Sequence, residues 1–376
     1  MRYITIFFIP FLLLTGCKSG LENHESNHTS SGEEISDVNE TDGSDTESRF
    51  IGMSTEDWEV DLLADNLHYP WDIKVMDNFI VMPEVVGTIA MMEDGKLERY
   101  DVQTSDPIAQ EGGSGLLGIA LADDFLESGI AYLYHTYRTG SGLANKVVQV
   151  LYDGDSWKET SVLLDGIPGH ELYNGGRIAI GPDGYLYVAT GWAHEEEFAQ
   201  DIDNLGGKIL RMNLDGSIPE DNPFTDSYVY SYGHRNPQGL AWNEDGTIMY
   251  NSEHGESAHD EINIIEPGKN YGWPVITGDE EQEGMEKPLL HSGNDTWAPS
   301  GITFFDDHLF IAGLRGQSLY VYNESAGSLD VVFTSNDRLR NVYPFEGDLY
   351  VITTNTSPRA DNPGEDDRLL RLSPRQ

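Results

Sequence analysis

Five segments of this chain share one arrangement, a polar turn followed at once by residues that alternate apolar and polar. They are Glu93-Asp94-Gly95-Lys96-Leu97, Pro182-Asp183-Gly184-Tyr185-Leu186-Tyr187-Val188, Glu244-Asp245-Gly246-Thr247-Ile248-Met249-Tyr250, Asp306-Asp307-His308-Leu309-Phe310-Ile311 and Glu346-Gly347-Asp348-Leu349-Tyr350-Val351. Asp-Gly supplies the positive φ that a tight primed turn needs, and the alternation after it makes a strand with one buried face. Each segment therefore predicts a β-hairpin. From Leu186 to Ile248 is 62 residues, to Leu309 a further 61 and to Leu349 a further 40, while no helical period persists for more than a turn or two. Hairpins recurring every ~40 to 60 residues suit blades of four strands set around a central channel.

The expectation is an all-β fold, a six-bladed β-propeller spanning residues 50–376 as one domain. A β-sandwich or two packed barrels is the alternative, but 40 glycines and seven tryptophans spread over spaced turns favour the propeller. In such a fold, function sits on loops at one mouth of the channel.

The first residues make a separate unit. Arg2 precedes an apolar run from Ile4 to Leu14 that ends at small residues, the pattern of an export signal over residues 1–16. A membrane-spanning helix needs roughly 20 apolar residues, and this run is too short and is broken by Pro10. Leu14-Thr15-Gly16-Cys17 resembles the bacterial lipobox, in which the signal is cleaved before the cysteine and its thiol is lipidated. Cys17 is the only cysteine of the chain, so no internal disulfide can form and lipidation accounts for the thiol. Two or more acyl chains hold a protein firmly at a membrane surface. Residues 17–49 then read as the lipidated cysteine and a disordered acidic tether, because Ser, Glu, Asp, Asn, Thr and Gly dominate and nothing there builds a core. The expected location is the outer face of the cell membrane, reached through the lipid anchor alone.

A formal charge of −43, from 65 acidic residues against 22 basic ones, excludes nucleic acid as a partner. It also argues against a surface for anionic lipid headgroups, which needs clustered Lys and Arg.

Three polar, Gly-rich loop segments stand out. They are His170-Glu171-Leu172-Tyr173-Asn174-Gly175-Gly176-Arg177, Tyr232-Gly233-His234-Arg235-Asn236-Pro237-Gln238-Gly239-Leu240, and Ser252 to Asn263 with Gly268-Lys269-Asn270-Tyr271-Gly272-Trp273-Pro274 beyond it. The segments carry Arg177 and Arg235 among carboxylates, and residues 170–274 hold five histidines. Such a set suits an anionic ligand held by guanidinium groups and a hard cation held by oxygens. Taken singly, a loop histidine or an Asp260-Glu261 pair is more often a solvated turn.

The strings GHRNPQGLAW, EHG, DEIN and GKNYGWP, with Gly115-Leu116-Leu117-Gly118, Gly206-Gly207-Lys208-Ile209-Leu210-Arg211 and Asp337-Arg338-Leu339-Arg340-Asn341-Val342, resemble the soluble aldose dehydrogenases that use pyrroloquinoline quinone (PQQ), the glucose/sorbosone dehydrogenase family. The likeness runs from Trp58 to Leu372. It implies a six-bladed propeller that oxidises an aldose sugar and passes electrons to an external acceptor. PQQ is a flat tricarboxylate quinone, and the resemblance puts Arg338 and Arg340 on its carboxylates, Arg315 where the family usually has lysine, and Thr296 in a hydrogen bond to it. Arg235 and Asn236 would sit against the quinone oxygens. Ca²⁺ would be held by the main-chain carbonyls of Gly255 and Glu256, and a second, structural Ca²⁺ near Asp260 and the Tyr271 carbonyl.

Further positions depart from the family pattern, among them Gly113 and Ser114, which stand where the family has a glutamine or acidic residue before Gly-Leu-Leu-Gly. Glu256 replaces a proline, and Tyr173 stands where the family has the histidine that takes the sugar's hydroxyl proton. The catalytic set read from the chain is thus Tyr173 and Arg235, with His170 as an alternative base. A non-catalytic propeller binding a glycan or protein is the rival reading, but several arginines around one pocket favour the enzyme. A calcium-dependent lactonase on a similar propeller would need converging acidic and amide ligands, which the sequence does not offer.

Because Cys17 lies far outside the apolar pattern of the domain, Cys17→Ser is expected to release the protein from the membrane or block its processing while the domain still folds. Fractionation of cells checks this, and a variant that stays membrane-bound at mature size would exclude lipidation.

Overall fold

The computed structural model describes residues 49–360 and 366–375, so the export signal and nearly all of the tether lie outside the described residues. Within them the chain is β-structure, with helix confined to Thr55–Asp57, Phe125–Ser128 and Glu197–Gln200. Three of the five expected hairpins close with two-residue turns. Glu93 pairs with Lys96, Phe305 with His308 and Phe345 with Asp348. The residues between them all have positive φ: Asp94 50° and Gly95 77°, Asp306 50° and Asp307 61°, Glu346 49° and Gly347 88°. That is the primed geometry whose twist matches the flanking strands.

The other two hairpins differ. Ile180 pairs with Leu186 and Trp242 with Met249, so their loops are longer. In these only the glycine of Asp-Gly turns left-handed, with Gly184 at 80° and Gly246 at 72°. The aspartate works through its side chain instead. Asp183 Oδ1 accepts the Tyr185 N–H at 3.3 Å and Asp245 Oδ1 the Thr247 N–H at 3.1 Å, the Asx arrangement that stands in for a backbone turn.

The strands form four four-stranded sheets and one of eight. The eight-stranded sheet consists of two antiparallel halves, Lys74–Met76 through Lys96–Gln103 and Leu116–Leu121 through Trp157–Pro168, joined only by the parallel pairs Val102 with Trp157 and Gln103 with Lys158. The first strands of successive units, Lys74–Met76, Leu116–Leu121, Gly175–Ile180, Pro237–Trp242, Pro299–Phe305 and Leu339–Phe345, neighbour one another in a closed ring. The molecule is thus a β-propeller.

The two ends of the chain close that ring. Trp58–Leu67 pairs antiparallel with Asp367–Pro374, from Trp58 opposite Pro374 to Leu67 opposite Asp367. Trp58 is buried, and its indole N–H reaches the Val332 carbonyl of the next sheet at 2.9 Å. The core lies between sheets. Ile302, Leu309 and Ile311 pack on Ala241 and Ile262 of the preceding sheet, while Phe310, Leu319 and Val321 pack on Val342, Leu349 and Val351 of the following one. Each such side chain contributes on the order of 1.5–3 kcal/mol relative to exposure, so the faces hold neighbouring sheets together by many equal contacts.

Inside the ring the contacts are polar. Asp72, fully buried, accepts hydrogen bonds from Ile73 N at 2.8 Å, Ile119 N at 3.2 Å and Asn341 Nδ2 at 2.7 Å, with Lys74 Nζ at 3.1 Å and Arg177 Nη1 at 2.7 Å. Burial alone would raise its pKa, but Arg177, Lys74 and the two backbone N–H groups hold it below the usual carboxylate range. Breaking a buried ion pair by removing one partner costs roughly 3–5 kcal/mol, because the other charge is left uncompensated. Asp72→Ala is expected to lower the unfolding free energy by about that amount and Asp72→Asn by less, as read from urea melts of the domain. A change within ~0.5 kcal/mol, the range of neutral surface substitutions, would contradict the assignment.

Candidate active site

Segments that lead into the inner strands enclose a cavity of about 420 Å³. Tyr69 and Trp71 come before Lys74–Met76, Leu172 to Asn174 before Gly175–Ile180, Arg235 and Asn236 before Pro237–Trp242, and Thr296 and Ala298 before Pro299–Phe305. The cavity therefore gathers one loop from most of the sheets, and its walls are positioned by rigid strands behind them.

Five guanidinium groups line it, those of Arg235, Arg315, Arg338, Arg340 and Arg359, in a chain whose formal charge is −43. That concentration against the overall charge marks an anion site. Arg340 is buried; its Nη1 lies 3.3 Å from both Gln238 Oε1 and Ser300 Oγ, and burial pushes its pKa down to about 10. Arg235 is buried in an aromatic cage, its Cζ 4.8 Å from the Tyr173 ring centroid, 5.1 Å from Trp273 and 5.4 Å from Trp192. Its Nη1 donates to the His254 carbonyl at 3.2 Å, and its backbone N–H to Glu253 Oε1 at 3.0 Å. Buried Nε atoms of Arg235 and Arg340 and the buried Nε2 of His254 have no hydrogen-bond partner among the described residues. Such groups cost free energy unless a ligand satisfies them. Burial also lowers the pKa of His254 to about 4, so its imidazole is neutral at neutral pH.

Tyr173 lines the cavity with φ of 63°, a conformation a tyrosine seldom adopts and one that clusters at functional sites. Asn174 fixes the loop around it, since Oδ1 accepts the His170 N–H at 3.0 Å and Nδ2 donates to the His170 carbonyl at 2.6 Å. The phenol oxygen accepts from Arg359 Nη2 at 3.1 Å. Burial favours the neutral phenol, yet Arg359 and then Arg235 outweigh it, and the Tyr173 pKa is held below the ordinary phenol value.

Of the residues singled out in the sequence, Tyr173, Arg235, Asn236, Thr296, Arg315, Arg338, Arg340, Gly255, Glu256 and Asp260 all line this one cavity. Their local bonding is more specific than their spacing suggests. Asn236 Oδ1 accepts the Gly175 N–H at 3.1 Å, which ties two loops together. The Thr296 hydroxyl donates to Asp260 Oδ2 at 2.8 Å, and Oδ2 also accepts the Trp297 and Ala298 N–H groups at 2.8 Å, while Oδ1 takes the Gly255 N–H at 3.1 Å. Asp260 thus organises two loops. Gly255 is required by crowding, because a Cβ there would lie 1.9 Å from the Ala258 carbonyl oxygen.

Two residues fall elsewhere. His170 is not among the lining residues; its Nδ1 accepts the Leu172 N–H at 3.2 Å, and its ring lies 4.9 Å from that of His194. Tyr271 is also off the cavity, its phenol donating to the Ile264 carbonyl at 2.6 Å and accepting from Glu266 N at 2.9 Å, with its ring stacked on His234. Arg359, His254, Trp71 and Gln238 line the cavity without a site role having been read for them. His254 sits inside the Glu-His-Gly string and Trp71 beside Pro70, so a signal existed for both, whereas Ser357-Pro358-Arg359 carries no motif.

The glucose / sorbosone dehydrogenase family model matches residues 67–360. Aldose sugar dehydrogenase YliI of Escherichia coli is 30% identical over 360 residues, covering 84% of this chain and 93% of that protein. Quinoprotein glucose dehydrogenase B of Acinetobacter calcoaceticus is 32% identical over 276 residues, 64% of this chain and 57% of that protein. The solved structure of the PQQ-bound form of aldose sugar dehydrogenase from Streptomyces coelicolor superposes with a TM-score of 0.76 at 35% identity, over 84% of this chain and 98% of that one.

Proposed function

Because the chain belongs to the glucose/sorbosone dehydrogenase family, we propose that it oxidises the anomeric CH–OH of an aldose to the lactone at the outer surface of the cell, with Ca²⁺ beside its quinone cofactor. It is an oxidoreductase acting on a sugar CH–OH group, and its cofactor is PQQ. The observation that carries the reading is the ring of five arginines in one cavity, with buried Nε atoms of Arg235 and Arg340 lacking a protein partner among the described residues. A flat tricarboxylate fits such a donor set, because guanidinium groups bind carboxylates in bidentate fashion.

In this reading Arg338 and Arg340 would hold carboxylates of the cofactor, Arg315 would add a third cation, and Thr296 would offer its hydroxyl oxygen. Arg235 and Asn236 would hold the quinone oxygens. The carbonyls of Gly255 and Glu256 would hold Ca²⁺, and Asp260 and the Tyr271 carbonyl would hold a second, structural Ca²⁺. PQQ, when bound, supplies an electrophilic quinone that accepts a hydride. Tyr173, as the phenolate, would take the proton of the sugar's O–H group. Arg235 lies beside the phenol, its Cζ 4.8 Å from the ring centroid.

The ring of inner strands supports a count of six blades, with the eight-stranded sheet read as two blades because only two parallel residue pairs join its halves. The proposed location at the cell surface is supported by the resemblance of Leu14-Thr15-Gly16-Cys17 to a lipobox.

Arg340→Ala is expected to weaken PQQ binding about tenfold to a hundredfold, since a hydrogen bond to a charged group is worth roughly 1.5–3 kcal/mol. Titration of the apoprotein with PQQ, followed by quinone absorbance, measures it, and an unchanged affinity would place the carboxylates elsewhere. Tyr173→Phe is expected to leave PQQ bound and nearly abolish aldose-dependent dye reduction. A phenol acts as a base only when ionised, so wild-type turnover should rise with pH through a midpoint below the ordinary ~10. Tyr173→His should move that rise toward ~6.5. Full activity in Tyr173→Phe would remove the phenol from the reaction.

A further inference from the structure

Arg359 is exposed and stands 186 residues from Tyr173 in sequence, yet its only side-chain hydrogen bond among the described residues goes to the Tyr173 phenol oxygen. No carboxylate among the described residues forms an ion pair with it, in a chain of 65 acidic residues against 22 basic ones. The turn that carries it is built. Ser357 is buried, its hydroxyl accepts the Arg359 N–H at 3.3 Å and donates to the Tyr69 phenol at 3.3 Å, and its carbonyl accepts the Ala360 N–H at 2.9 Å. Ser357 and Tyr69 both line the same cavity.

We propose that Arg359 is a positioning residue that, by its hydrogen bond, orients the Tyr173 phenol toward the substrate and favours its anionic form. This rests on the reading of Tyr173 as the proton acceptor. The groups packed around the phenol support it. Arg359 Cζ lies 5.1 Å and Arg235 Cζ 4.8 Å from the ring centroid, the His194 ring 5.6 Å away and the Trp192 ring 5.4 Å. His170 is the next ring beyond His194, and Glu253 and Glu256 lie on the Arg235 side, where they favour its charged form. Two cations therefore border the oxygen, and no carboxylate among the described residues bonds to it, which favours its anionic form. A histidine in this place would gain nothing from a neighbouring guanidinium, whose charge opposes protonation of imidazole.

The test needs no cofactor. Phenolate absorbance near ~295 nm is titrated with pH in the apoprotein, and the Tyr173→Phe curve is subtracted to isolate one of the 19 tyrosines. In Arg359→Ala the isolated transition is expected to move to more alkaline pH, and in Arg359→Lys, which keeps the charge without the planar fork, to return part of the way. In the PQQ- and Ca²⁺-loaded protein with D-glucose and a dye acceptor, the pH profile should move with it. Turnover below the midpoint should fall on the order of tenfold for each unit of displacement. A Tyr173 transition unmoved by Arg359→Ala would overturn the proposal, as would a loss of PQQ affinity with an unshifted pH profile, which would assign Arg359 to the cofactor. If Tyr173→Phe keeps full turnover while the absorbance transition still moves with Arg359, the pairing stands and the role of Tyr173 as base is what fails.

Discussion

One buried carboxylate connects most of what surrounds the channel. Asp72 accepts from the backbone of Leu116–Leu121, from Asn341 of Leu339–Phe345 and from its own neighbour Ile73, and it pairs with Arg177 of Gly175–Ile180 and with Lys74. Strands from separate sheets thus converge on two oxygens. Apolar faces between sheets supply most of the burial but little direction, since hydrophobic contact is non-directional. Hydrogen bonds to a fixed acceptor set the angular placement that the faces alone leave loose. The effect reaches the cavity, because Arg177 lies with its Cζ 4.2 Å from the Trp71 ring centroid and Arg340 follows at 5.8 Å. Trp71 is the floor on which both guanidinium groups rest.

The cavity inverts the electrostatics of the rest of the chain. Excess carboxylate over the domain keeps anions away from its surface, while five guanidinium groups attract them at a single opening. Their separate environments differentiate them. Arg340 is buried between Gln238 and Ser300, Arg235 is caged by aromatic rings, and Arg359 stays exposed at a phenol. Burial of Arg235 and Arg340 is tolerable because the rings and side-chain acceptors replace part of the lost water.

Hairpins are legible in the sequence wherever turn chemistry is local. Asp94-Gly95 and Glu346-Gly347 close two-residue turns as their residues demand, whereas Asp183 and Asp245 show that the same dipeptide can act through its carboxylate in a longer loop. Arg235, Arg338 and Arg340 of the cavity are legible because they sit in specific strings. Arg359 is not, since its meaning comes from a phenol 186 residues away. His170 lies three residues from Tyr173 but the Asn174 clasp turns it toward His194, and no spacing rule foretells that. Tyr271 likewise sits in a recognisable string, and its phenol serves the Glu266 turn.

Closure by Trp58–Leu67 against Asp367–Pro374 has a consequence for how the protein is made. Trp58–Leu67 has no partner until Asp367–Pro374 exists, so it waits unpaired while every strand between them is made. Loop-closure entropy grows only logarithmically with separation, each doubling costing about 0.6 kcal/mol, so the finished ring loses little stability by joining distant ends. Speed is what suffers, because contacts between ends of the chain are the last to form and the slowest to search for. Until then the unpaired edges and the buried face of Trp58 are open to other chains, and the molecule's most exposed moment is the interval between synthesis of its final strand and the docking of its first.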